Sequence, residues 1–589
     1  MGHRIGKFVP FSVQLVALAV VAAGGTAVAL AADVSPEFLG RHRPPGRGGG
    51  VDLEGQSLDG SGNNRAHPRW GSAGQPYSRV APARYADGRS AMVQGPDVRW
   101  VSSRVFNDAN QNIFSDRRVS QWGFVWGQFV DHTIGLREEG TTEKADIAFN
   151  AADPLESFTN TLGDIPFTRS RPAPGNGPRQ QTNLVSSYVD AWAVYGGTRE
   201  RLEWLREGPV DGDLTNNGPH LLLQDGYLPR RDSRGDPGSA PEMAVDGMLL
   251  GRPGRAVVAG DQRANENIGL TAVQTLFARE HNRIVDLLPA SLSAEQRFQI
   301  ARRVVIAEQQ FITYEQFLPA LGVTLPRYRG YRPDVDASLS NEFATVGYRA
   351  HSMIHGELEL SSAADRYSTA VLDQLRRGGV EIETGGEDVE LAVPLNVAYF
   401  NPDLVPALQL GPLLRGIGSE AEYRNDEQID NQLRSVLFQV PVAGNPRCLD
   451  GPALPQCFRG VVDLGAIDVQ RGRDHGIPGY NQLRRAYGLP ARRTFRAITG
   501  EATEEWPRDP RLAAGKEADD PSALDFVALF DAAGKRVDPA SEEAATSVTR
   551  GVRRTALAAP AQGGVRLRRP GRRVRRDGGR AARARHRVR

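Results

Sequence analysis

Four short stretches of the chain hold residue types that bind metals or move protons. In WGQFVDHT, Gln128, Asp131 and His132 share one face if the segment is helical, because positions three and four apart are neighbours there. An aspartate and a histidine beside Trp126 and Phe129 need partners when buried, so the group reads either as a satisfied core pair or as a catalytic one. In GDQRANENIGL, Arg263 and Glu266 are three apart where a helix should begin, and its N-terminus favours an anion near Glu266. A plain ion pair is the simpler reading.

In YRAHSMIHGE, His351 and His355 stand at i,i+4, as paired metal ligands would, although no H-E-x-x-H is present. A histidine bound to an iron would need a partner fixing its other ring nitrogen. The last stretch, DLGAIDVQRGRDHGIPGYN, supplies Asp468, Arg471, Arg473, Asp474 and His475 before a turn implied by its glycines and Pro478. Arg471 can clamp a carboxylate; a salt-bridge network is the mundane alternative.

Helices must position these residues. WGFVWGQFVDHTIGL, NIGLTAVQTLFAREHNRIVDLL, AEQRFQIARRVVIAEQQFITYEQFL and NEFATVGYRAHSMIHGEL all have helical apolar spacing, and Ser293 with Gln296 fits a capping box. Arg279, Glu280, His281 and Asn282 read as an interhelical clamp. Convincing alternating strands are scarce, and VVDLGAIDVQRGRDHG is ambiguous. No Gly-rich loop follows a strand, which argues against a dinucleotide fold. The expected fold is mainly α: a single large helical domain with long irregular loops, to which 64 glycines and 39 prolines contribute.

The 589 residues carry a formal charge of +2, but fifteen arginines and one aspartate fall within 550–589, so the rest is net acidic. That body gives no case for a specific nucleic-acid partner. Arg4 and Lys7 precede an apolar run, and Ala29 and Ala31 form an A-x-A site. Residues 1–31 therefore read as a secretory signal peptide, with an uncleaved anchor as the alternative, and no later run is long enough to span a bilayer. Outside the cytoplasm, Cys448 and Cys457 are expected to pair. Residues 32–90 read as an extended arm or linker, 91–550 as the main domain and 551–589 as an arginine-rich low-complexity tail.

The four segments, in this order over about residues 95–550, resemble the animal-type haem peroxidases of the peroxidase–cyclooxygenase superfamily. The resemblance implies a secreted bacterial member lacking the usual C-terminal segment. It implies haem b as cofactor and hydrogen peroxide as substrate, with small anionic or aromatic electron donors: halide, thiocyanate or phenols. His132 matches the distal histidine, Arg263 the catalytic arginine, and Gln128 the glutamine that holds distal water or halide. Asp131 and Glu266 match the carboxylates that form esters with haem, His351 the proximal iron ligand, and Arg471 the arginine that pairs with a haem propionate. The chemistry of the residues agrees. Splitting a peroxide bond needs a base near one oxygen and positive charge near the other, which His132 and Arg263 can supply.

Four departures from the family pattern stand out. Thr133 takes the place of a calcium-ligating aspartate. In the matching loop SSYVDAW, Ser186, Tyr188 and Asp190 occupy ligand positions while Trp192 replaces a serine. Calcium wants six or more oxygens, so one ion is an open expectation. Asn267 replaces the methionine of a third haem link, which should be absent. Asp468 replaces the proximal asparagine and would make His351 a stronger donor. Tyr348 and Arg349 are displaced by one position from the family arginine, as a one-residue deletion would leave them. Tyr348, three before His351, also keeps a second function open: a haem-dependent fatty-acid dioxygenase with Tyr348 as radical site. An inactive truncated family member is a third.

Overall fold

The computed structural model describes residues 56–108, 112, 114–149, 156, 163–435, 437 and 460–492, together with 529–530 and 536–537. Residues 492–589 form a unit of their own, in which Leu529–Phe530 pairs antiparallel with Arg536–Val537. The signal segment, the cysteine pair and the arginine-rich tail lie outside the described residues.

In chain order the elements that frame the site are β1 (Gln75–Pro76), α1 (Trp122–Ile134), β2 (Thr182–Asn183), α2 (Ile268–Leu287), α3 (Ala294–Phe311), β3 (Glu357–Ala363), α4 (Thr369–Arg377), β4 (Glu381–Thr384), β5 (Asp388–Pro394), α5 (Leu410–Ser419) and α6 (Leu464–Asp474). The fold is mainly helical, with long irregular connections.

Three of the helices, α2, α3 and α6, start where a side chain satisfies an unpaired amide of the first turn, a contribution of about 1 kcal/mol apiece. Asn267 accepts from the Leu270 amide at 2.8 Å to open α2. Ser293 and Gln296 bond reciprocally at the head of α3, the expected capping box. Asp463 accepts from the Ala466 amide at 3.0 Å to start α6, which settles the ambiguous 461–476 stretch as helix.

α1 is apolar on nearly every side and is correspondingly buried. Phe129 stacks on Phe277 of α2 at 5.4 Å, and Trp126 tilts against the same ring at 5.8 Å. A Cβ on Gly269 would stand 3.0 Å from the Val125 side chain, a tight contact that glycine avoids where α2 meets α1. The 279–282 cluster of α2 ties the helix mainly to irregular chain: His281 bonds the Tyr195 hydroxyl and the Pro219 carbonyl, Asn282 holds both backbone groups of Leu221, and Glu280 pairs with Arg283 in the same helix.

Two expectations need correction. A three-stranded antiparallel sheet, ordered β3-β5-β4, lies where few strands were expected. Its alternation is plain in retrospect. Leu358, Leu360 and Ser362 are buried on β3, facing Val393, Leu391 and Val389 of β5. The 341–358 stretch is not one buried helix either. Phe343–Gly347 is a π turn, Tyr348 leaves helical geometry, and His351–Met353 is a separate 3₁₀ turn. Phe343 and Val346 are exposed.

Residues 56–90 are a succession of turns and short bridges rather than regular structure. β1 pairs with β2, Ser78 donates to the Leu339 carbonyl, Arg79 to that of His475, and Tyr85 to that of Asp474.

Candidate active site

α1 delivers Gln128, Asp131 and His132 from its last two turns, and the 260–267 turn brings Arg263 and Glu266 against them. His132 is buried, with Nε2 3.3 Å from Glu266 Oε2 and Nδ1 3.6 Å from Asp261 Oδ1. Gln128 donates to the same Glu266 oxygen at 2.8 Å and accepts from the Asn267 side-chain amide. Asn267 thus serves both as the cap of α2 and as a tie to α1, while the Tyr399 hydroxyl bonds it from the other side. Arg263 Nη1 lies 3.7 Å from Asp131 Oδ2.

Charge in this cluster is mutually stabilised. Burial alone would raise the Glu266 carboxyl, but His132 and then Arg263 outweigh it and hold the group below the usual range. Burial would likewise lower Arg263, yet Asp261, Asp131 and Glu266 keep it above its ordinary value.

Asp261 is the residue the motif analysis passed over. It is 1% exposed, and its two oxygens take the Arg263 main-chain amide, Nε and Nη2 at 2.8–2.9 Å. The available signal was the spacing, since an aspartate two residues before an arginine in a turn can reach its guanidinium. Gly260 lets this turn sit tightly, because a Cβ there would stand 2.1 Å from the Trp192 carbonyl.

On the other segment, Asp468 Oδ2 lies 2.7 Å from His351 Nδ1, which leaves Nε2 as the nitrogen open to a metal. The 351–353 turn packs against α1, and the Tyr348 hydroxyl donates to the Gly127 carbonyl at 3.2 Å. Burial pushes that hydroxyl's pKa up, reinforced by Asp131. His355 does not join His351. It pairs with Glu420 at 2.6 Å and stacks on Tyr423, so the i,i+4 spacing does not make a two-histidine site.

Arg471 uses Nη1 on the Thr168 carbonyl, Ser170 and Asp474 and lies over the Phe167 ring. Burial, then the nearby Arg137, push it down to about 9. Arg137 is in turn lowered first by burial and then by Arg349. Arg137 thus feels Arg349 and is felt by Arg471, a local excess of positive charge that suits an anionic group. Arg137, three residues past the end of α1, belongs to no motif and was not anticipated.

The 186–192 loop leads into a short helix, Trp192–Tyr195, that packs on α1. Both Asp190 carboxylate oxygens are buried without a hydrogen bond of normal geometry among the described residues. Burial pushes the carboxyl up to about 7, the Ser186 side chain offsetting this only in part. The Thr133 hydroxyl donates to the Phe129 carbonyl, leaving its lone pairs available. Ser186 is fully buried, and the Tyr188 and Trp192 carbonyls each accept one backbone amide. This oxygen-rich set fits a hard cation. No cluster of three or more His, Cys, Asp or Glu that would hold a metal occurs among the described residues.

The model of the animal haem peroxidases matches residues 55–513, and the chain belongs to that family. It is 31% identical over 491 residues to thyroid peroxidase of Sus scrofa, covering 74% of this chain and 49% of the other. Peroxidase A of Dictyostelium discoideum superposes with a TM-score of 0.59 at 28% identity, covering 76% of this chain and 81% of that one. Fatty acid α-dioxygenase of Oryza sativa shares the fold, with a TM-score of 0.50 at 17% identity over 79% of this chain and 76% of that one. The chain spans about half the length of the thyroid peroxidases it matches.

These findings correct one expectation. The relatives, from mammals, an insect, a nematode and a slime mould, are eukaryotic, which overturns the reading of a bacterial member.

Proposed function

We propose that the protein is a secreted haem peroxidase that reduces hydrogen peroxide while oxidising halide, thiocyanate or small aromatic donors. The observation that carries this reading is the pairing across α1. His132 and Arg263 sit together with Gln128 and Glu266, while the 351–353 turn packed on the same helix offers a histidine whose Nδ1 is already held by Asp468. Haem b, when bound, supplies the two-electron reduction of peroxide. The chain's own residues do the rest.

His351 Nε2 would be the nitrogen that holds the haem iron, made more basic by Asp468 at Nδ1. His132 Nε2 accepts a proton from peroxide and returns it to the departing oxygen. Arg263 places positive charge where that oxygen develops negative charge. Gln128 orients water or halide, and Asp131 and Glu266 are positioned to become ester links. Arg137, Arg349 and Arg471 would supply positive charge for the haem propionates. Asp190, with Thr133, Ser186, Tyr188 and Trp192, would hold calcium next to α1.

The dioxygenase alternative rests on Tyr348. Its hydroxyl is engaged with the Gly127 carbonyl, and the two carboxylates beside His132 and Arg263 favour peroxide chemistry. Among the described residues no helix is long and apolar enough to cross a membrane, which suits a secreted product.

The test is to supply haem during expression and compare iodide and phenol oxidation by peroxide with oxygen uptake on palmitate. Peroxide-dependent donor oxidation that persists in Tyr348→Phe and disappears in His351→Ala is expected. Tyr348-dependent oxygen uptake without donor oxidation would overturn the reading.

A further inference from the structure

Asp261 lies behind the His132–Arg263 pair, out of reach of any substrate, and its contacts give it control over both. Its carboxylate grips Arg263 three times: the main-chain amide and Nε on Oδ1 at 2.9 and 2.8 Å, and Nη2 on Oδ2 at 2.9 Å. A fork-to-fork pair of this kind fixes the plane of the guanidinium as well as its place. Nη2 is further held by the Gly135 carbonyl at 2.9 Å. The nitrogen left for chemistry is Nη1, on the Asp131 side.

The same Oδ1 faces His132 Nδ1 at 3.6 Å. That nitrogen is buried and has no hydrogen-bond partner among the described residues, so Asp261 is the acceptor set before it. A neutral imidazole carries one proton on one of two nitrogens. A proton drawn to Nδ1 by Asp261 leaves the lone pair on Nε2, which here faces Glu266 Oε2 at 3.3 Å and would be free to take the proton of peroxide once that carboxylate is engaged by haem.

We infer that Asp261 is the positioning residue of this site, holding His132 in the Nδ1-protonated tautomer and Arg263 with Nη1 turned toward the bound oxidant. The inference rests on the peroxidase reading given above. Burial alone would raise the Asp261 carboxyl, but Arg263 and then His132 outweigh it, so the group stays ionised and keeps its grip near neutral pH. In Asp261→Asn one oxygen becomes an amide that donates, which breaks the fork and removes the charge opposite Nδ1.

The experiment uses haem-loaded full-length protein: wild type, Asp261→Asn, His132→Ala and the double variant. Cyanide association with the ferric protein is followed by stopped flow, beside the first spectral change after mixing with peroxide. Binding of hydrogen cyanide needs a distal base to accept its proton but involves no turnover. Asp261→Asn should keep the ferric spectrum and slow both rates by about 10–100-fold, the usual cost of losing a partner that orients a site group. Because it acts largely through His132, it should add less than about threefold in the His132→Ala background, where independent effects would multiply.

Wild-type rates in Asp261→Asn, or its full effect persisting in His132→Ala, would overturn the inference. Should Asp261→Asn fail to fold, Asp261→Ser takes its place; if neither folds, Asp261 is a structural residue and the inference fails. If His132→Ala itself matches wild type, or the wild type takes up no haem, the peroxidase reading falls and carries this one with it. Rates that drop in His132→Ala but not in Asp261→Asn leave the peroxidase reading standing alone.

Discussion

Oδ2 of Asp468 stands 2.7 Å from Nδ1 of His351, a carboxylate where relatives are expected to carry an amide. A charged acceptor draws the Nδ1 proton toward itself and enriches Nε2, which strengthens that nitrogen as an iron ligand. Replacing Asp468 by Asn should move the ferric/ferrous potential to a more positive value, and Asp468→Ala should cost about 10–100-fold in haem affinity. Spectroelectrochemistry and haem titration measure the two effects. An unchanged potential in Asp468→Asn would mean that the carboxylate is spent elsewhere when haem is bound.

Asp131 and Glu266 both face the His132–Arg263 pair, so both should become bonded to haem after exposure to peroxide. Extraction with acidified organic solvent should then leave haem on the protein, and intact mass should rise by one haem. Glu266→Gln should retain a single link. Complete release of haem from peroxide-cycled wild type would refute the two-ester arrangement.

The buried, unpartnered Asp190 should make the protein sensitive to calcium. A ligand that binds only the folded state stabilises it by about 2.7 kcal/mol at a hundred times its dissociation constant. Calcium should therefore raise the Tm of wild type by several degrees relative to chelator, and Asp190→Ala should abolish the difference. Equal melting with and without calcium would remove the ion from the account.

A fourth expectation concerns Glu422, at the entrance to α1. It is 1% exposed and one carboxylate oxygen has no partner among the described residues. Burial pushes it up to about 8, the Phe124 amide offsetting this only in part. Its folded value lies above its unfolded value near 4.3. Between those limits the folded chain keeps a proton that the unfolded chain has lost, so stability falls as pH rises from about 4.3 to 8. Glu422→Gln should flatten that slope and stabilise the protein at pH 8 by on the order of 2–4 kcal/mol. Melting curves at pH 5 and pH 8 that shift in parallel for the two proteins would contradict this.

Much of the helical frame was legible because local signals agree with the final packing. Ser293 and Gln296 announce the start of α3, and the all-round apolar character of α1 announces its burial. What escaped notice was set at longer range. The strands β3 and β5 are short alternations whose meaning depends on pairing with each other, as Leu360 does with Leu391. Around His351 the periodicity is helical, but the backbone widens at Phe343–Gly347 and breaks at Tyr348, so one continuous pattern yields two separate turns. Arg137 shares its region with Arg349 and Arg471 only through the tertiary fold, and no spacing could show it. Asp261 lies inside the GDQRANE segment, but its role is set by a fold-level contact with His132 as well as by its grip on Arg263, and sequence spacing shows only the second.

The irregular chain of residues 56–90 bears on how the protein is made. Arg79 reaches the carbonyl of a residue 396 positions later, and Val80 reaches Glu342, 262 positions on. At a synthesis rate of about 5–20 residues per second, Arg79 waits roughly 20–80 s for its partner to appear. During that interval the early chain has no surface to lie on and is open to chaperones, while the helices between it and its partners can already condense. The contacts of Arg79 and Tyr85 with residues 474–475, at the end of the helix that carries Asp468, therefore form only after nearly all of the described chain has been made.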